Sequence, residues 1–151
     1  MFTPWRSALP YALWITFPSW AVGIAVTVAG TAGFGEDTNL TGGDPASWAL
    51  TQVAFLTICT LTLATARRLM TPLPRALAVL TDGILYLAVF GLVQALPGAG
   101  LDAALLDGMA MWWFWGMFTL QIPAAWGLSA WRSGHLQAVI KARYRLDGVR
   151  P

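Results

Sequence analysis

One carboxylate stands inside a long apolar run: Asp82, within ALAVLTDGILYLAVFGLVQAL. An acid in hydrocarbon is costly and therefore needs a purpose or a partner. Two chemistries fit. It can pair with Arg75 or Arg68 near the end of its helix. Alternatively, it can take up and release a proton or a cation. Arg75 lies seven residues earlier and Tyr86 four later, so the three share one helical face. Asp82 sits six residues past Ala76, ~9 Å along a helix.

A second candidate is Gln121 with Pro123, in the uncharged stretch MAMWWFWGMFTLQIPAAWGLSAW from Met109 to Trp131. Gln121 falls ~18 Å along that helix, near the middle of a bilayer. Pro123 has no N–H to give the Thr119 carbonyl. Pro18 falls at a similar depth in the first apolar run. Interrupted helices at one level point to a binding site, or to packing in which an amide bridges two helices. The expected orientation of Gln121 is inward, because lipid cannot satisfy an amide.

The third candidate is the cluster Trp112, Trp113, Phe114 and Trp115. It occupies one end of the same stretch, where an aromatic belt belongs. Successive residues turn ~100°, so these indoles cannot all face lipid. At least one should meet another helix or a ligand.

Other chemistry is not encoded. His135 is the single histidine and Cys59 the single cysteine. A haem held by two histidines would need a partner subunit, and no intrachain disulfide is possible. There is no catalytic triad, metal-ligand spacing, phosphate loop or dinucleotide fingerprint. The expectation is no cofactor, no metal site and no catalytic residue. The basic tail is too modest to argue for nucleic acid.

The elements that must carry these residues follow from composition. The 151 residues are 57% hydrophobic and only 11% charged, against about a quarter charged in soluble domains. Four apolar spans are expected, over 8–31, 48–66, 76–96 and 109–131, forming a single all-α membrane domain. Pro18 should disturb the first. Ala21, Ala25, Ala29 and Gly33 form a small-residue ridge on it, suited to close helix approach. Thr57, Thr60 and Ala64 offer a similar face on the second. The loop 33–47 holds Glu36, Asp37 and Asp44 in a spacing that fits no calcium loop.

All nine Lys and Arg residues fall on one side of this scheme: Arg6, then Arg67, Arg68 and Arg75, then Arg132, Lys141, Arg143, Arg145 and Arg150. The positive-inside rule then places both termini and the Arg67–Arg75 turn in the cytoplasm; the expected location is the plasma (inner) membrane, with several passes. Within the tail, Lys141, Arg143 and Arg145 are candidates for contact with the lipid surface, on a helix whose apolar side Arg143 interrupts.

The reading that follows is a non-enzymatic four-helix bundle, an accessory or assembly subunit of a larger membrane complex. Its partners would be the bilayer and other membrane subunits or further copies of itself. The alternative is a small transporter or ligand-binding protein using Asp82, Tyr86, Trp112, Trp115, Gln121 and Pro123.

Overall fold

The computed structural model describes residues 3–33, 44–70, 73–99 and 104–146. The acidic loop expected over 33–47 lies mostly outside them, as does Asp102. Among the described residues there are five α-helices: α1 Trp5–Gly33, α2 Pro45–Leu69, α3 Arg75–Ala99, α4 Ala104–Phe118 and α5 Gln121–Leu146. The first three, with α3 counted as Arg75–Pro97, are long and apolar enough to cross a membrane. The fold is all-α, as the long apolar runs lead one to expect.

Helix boundaries have local causes. Asp44 caps α2, accepting from the Ala46 and Ser47 amides at 3.2 and 3.1 Å. Pro45 occupies the first helical position, where its missing N–H costs nothing. Arg67 and Arg68 end α2, where cations favour the negative pole of the helix. α1 runs unbroken through Pro10 and Pro18.

The stretch 109–131, expected as one helix, is divided. α4 stops at Phe118, Leu120 adopts φ 61°, and α5 begins at Gln121. The Leu120 amide donates to the Met117 carbonyl at 3.2 Å, a tightened last turn. The cause is Pro123. Its ring would press on the Thr119 carbonyl in a continuous helix. Restarting the helix at Gln121 places Pro123 in a first turn, where no donor is needed. The disturbance therefore falls two to four residues before the proline. The basic tail is no separate element either, since α5 continues through Gly134 to Leu146.

α1, α2, α3 and α5 form an antiparallel ring, each packed on the next, and α4 rests chiefly on α3. One end of the ring carries Trp5, Arg68, Arg75 and Arg132; the other carries Asp44 and Asp107. The centre is filled by Phe55, Tyr86, Phe90, Ile122 and Leu63. Phe55 meets Tyr86 and Phe90 edge-on at 5.7 and 5.6 Å, and Phe90 meets Trp112 at 6.4 Å. Glycines let the helices close. A Cβ on Gly83 would strike the Trp126 indole, one on Gly91 the Trp113 indole, and one on Gly23 the Gln121 side chain. The ridge Ala21, Ala25, Ala29 and Gly33 is exposed, so it does not serve packing within the chain. α1 buries the opposite series Tyr11, Ile15, Ser19 and Gly23.

Candidate functional site: a buried polar column

Side chains with hydrogen-bonding groups occupy the axis of the bundle in three tiers. α3 supplies one member of each. Asp82, Tyr86 and Gln94 recur on one face at multiples of four residues, with Phe90 between them, a span of ~18 Å.

The lowest tier, toward the basic end, is centred on Asp82, which is 1% exposed. Its partner is Arg67 of α2. Arg67 Nε donates to Oδ1 at 3.1 Å, and Nη2 lies 2.7 Å from Oδ2. Nη2 also donates to the Ala78 carbonyl. The Tyr11 hydroxyl of α1 and the Ser129 hydroxyl of α5 each donate to Oδ2 at 2.5 Å. The guanidinium stands 5.1 Å above the Tyr11 ring. Four helices thus meet on one carboxylate. A bidentate pair with further donors is what a buried charge requires to be tolerated.

The middle tier joins α1, α3 and α5. Gln121 Nε2 donates to the Tyr86 hydroxyl at 3.1 Å. Tyr86 lies 2.8 Å from the Ser19 hydroxyl. Ser19 donates back to the Ile15 carbonyl at 2.7 Å, which leaves Tyr86 to donate to Ser19. The chain of donors therefore runs in one direction, from Gln121 to the α1 backbone. The upper tier joins α1, α2 and α3. Gln52 and Gln94 exchange amide hydrogen bonds at 3.4 Å, and Trp20 Nε1 donates to Gln52 at 3.1 Å. Between the lower and middle tiers, the Thr16 hydroxyl contacts the Cys59 sulfur at 3.8 Å.

The residues singled out from sequence fall in different places. Asp82, Tyr86 and Gln121 are in the column. Asp82 pairs with Arg67, not with Arg75 or Arg68. Arg75 instead donates from Nε and Nη2 to the Ala130 carbonyl at 3.2 and 2.8 Å, tying α3 to α5. Arg68 stacks over Trp5 at 4.8 Å. Pro123 is half-buried beside Gln121. The aromatic cluster divides as its spacing demands. Trp113 donates to the Leu87 carbonyl at 2.8 Å and Trp112 packs on the core, whereas Trp115 and Phe114 face outward. His135 is exposed. The backbone of Lys141, Arg143 and Arg145 is helical, and their side chains lie outside the described residues.

Tyr11, Ser19, Gln52, Arg67, Gln94 and Ser129 complete the column and were not predicted. For Gln52 and Gln94 a signal existed: each is a lone amide in an apolar run. Two shallow surface grooves, lined by Trp5, Thr65, Arg68 and Leu69 and by Leu13, Trp14, Phe17 and Pro18, include no residue of the column. Among the described residues, no three His, Cys, Asp or Glu side chains gather as metal ligands would. Compared with known protein families, curated proteins and solved structures, the chain matches none of them.

Proposed function

We propose that this chain is a four-span integral membrane protein without catalytic machinery, acting as an accessory or assembly subunit of a larger membrane complex. In this reading α4 and the first half of α5 together make the fourth crossing. The 15 residues of α4 and the 121–132 portion of α5 give ~40 Å of helix, ample for a hydrocarbon core of ~30 Å. In sequence all nine Lys and Arg residues fall on one side of the four-span scheme, which by the positive-inside rule supports placing both termini on the cytoplasmic side.

The observation that carries the reading is that the column consumes its own polarity. Asp82, Tyr86, Gln121, Gln52 and Gln94 are all bonded within the chain, so none is aimed at a ligand. What the protein presents outward is apolar, above all Met111, Phe114 and Phe118 at three- and four-residue spacing on α4, each at least 67% exposed. Purification in mild detergent from native membranes should yield the chain bound to another integral membrane protein at fixed stoichiometry. The double variant Phe114→Ala with Phe118→Ala should release that protein while the chain itself stays folded. A wild-type chain that elutes alone as a monomer overturns the reading.

One geometry favours a second reading, a small proton-coupled transporter. Asp82 Oδ2 has two hydroxyl donors at 2.5 Å, a constellation able to pass a proton. Loss of a proton-coupled flux in Asp82→Asn, with stability unchanged, would select it.

A further inference from the structure

We propose that the seam between α1 and α5 at the basic end binds an anionic phospholipid of the surrounding membrane. Its phosphate would sit on Arg132 and one acyl chain in the groove of Leu13, Trp14, Phe17 and Pro18. This rests on the four-span reading, because that reading puts Arg132 at headgroup depth. Arg132 follows Gln121 by eleven residues, ~16 Å, and half a hydrocarbon core is ~15 Å.

Three observations converge there. First, the Arg132 guanidinium bridges the two helices, 5.9 Å from the Trp14 ring of α1 and 5.9 Å from the Trp131 ring of α5. Stacking engages the faces of a guanidinium and leaves its N–H edges to donate, the geometry that suits a phosphate. Second, among the described residues this charge has no carboxylate partner. Among the described residues Arg132 forms no ion pair; Asp82 is held by Arg67, and Asp44 and Asp107 lie at the opposite end. The local field is therefore positive and calls for an anion. Third, the groove beside it is apolar and open to the outside. Leu13, Trp14 and Phe17 are each more than 40% exposed, and Pro18 lines the groove with them. It runs from Trp14 toward the middle of the bilayer, as an acyl chain does. A free phosphate would use the cation and leave the groove empty.

The full chain in mild detergent, offered phosphatidylglycerol and phosphatidylcholine of matched acyl chains, should retain phosphatidylglycerol with a preference of about fivefold, the size expected of one cation at an anionic surface. Arg132→Gln should bring the preference close to parity. A photoactivatable phosphatidylglycerol should cross-link the wild-type chain within 13–18, which tests the site without any substitution. The proposal is overturned by parity in the wild type, by a preference that survives Arg132→Gln, or by cross-links only elsewhere. Equal stabilisation by inorganic phosphate also overturns it, assigning the site to a soluble anion. Failure of the four-span reading is seen separately, by labelling of engineered cysteines on the two faces of the membrane.

Discussion

Removing the negative charge of Asp82 strands more than one group. Asp82→Asn leaves the Arg67 guanidinium buried opposite a neutral amide whose nitrogen accepts no hydrogen bond: in the place of Oδ2 it strands the Tyr11 and Ser129 hydroxyls, and in the place of Oδ1 it faces the Arg67 Nε–H. Breaking a buried pair from one side costs on the order of 3 kcal/mol. Thermal denaturation in mild detergent should show a loss of that size. The double variant Arg67→Met with Asp82→Leu should be less damaged than Asp82→Asn, since no orphaned charge remains. A double variant worse than Asp82→Asn would deny that charge is the issue. Gln121→Leu removes the donor to Tyr86 and should cost about 1 kcal/mol, the scale of one hydrogen bond between membrane helices. Asp82 was legible from sequence as a buried acid, but its partner was not. Arg67 and Arg68 are neighbours that point ~100° apart on α2. Only the packing phase of α2 on α3 decides which of them faces inward, and that phase is set by long-range contacts such as Phe55 with Phe90.

At the scale of elements, the break between α4 and α5 makes the sharpest claim. Leu120 holds a positive φ that costs an ordinary side chain ~1–2 kcal/mol. Leu120 is half-exposed, so little packing offsets the strain. Leu120→Gly should therefore match or exceed the wild type in stability, and Leu120→Ile should fall below it by about 1–2 kcal/mol, because a branched Cβ tolerates that backbone least. Equal stability of the two variants would mean that the helix is continuous. Gly23→Ala should also destabilise, by ~1–3 kcal/mol, as overpacked sites do. Its Cβ would displace the Gln121 side chain and with it the bond to Tyr86. Pro123 was readable as a weak point. The position of the break was not, because a proline disturbs the turn before it and the exact residue depends on how α4 settles on α3.

At the scale of the whole molecule, the three long helices were legible because each is an apolar run bounded by charge, proline or glycine, which needs no tertiary information. The polar column was not, because it joins residues such as Tyr11 and Ser129, 118 positions apart. The expected topology is checked by labelling Ser47→Cys and His135→Cys in a Cys59→Ala background. The first should react with an impermeant reagent from outside the cell only, the second only after the inner face is opened. Reaction of both from the same side would leave an odd number of crossings.

The placement of Arg67 and Asp82 on consecutive helices has a consequence for how the chain is made. Arg67 leaves the ribosome before Asp82, and only residues 70–74 separate α2 from α3. On the four-span reading, the two charges can therefore neutralise each other as a hairpin before either helix meets lipid alone. Tyr11 is already present on α1 by then. To the column the last helix to arrive adds Ser129 and Gln121, neutral groups whose delay costs little. Order of synthesis and order of need coincide: the buried Arg67–Asp82 pair is closed first, and the terminal helix locks a bundle whose buried carboxylate is already paired.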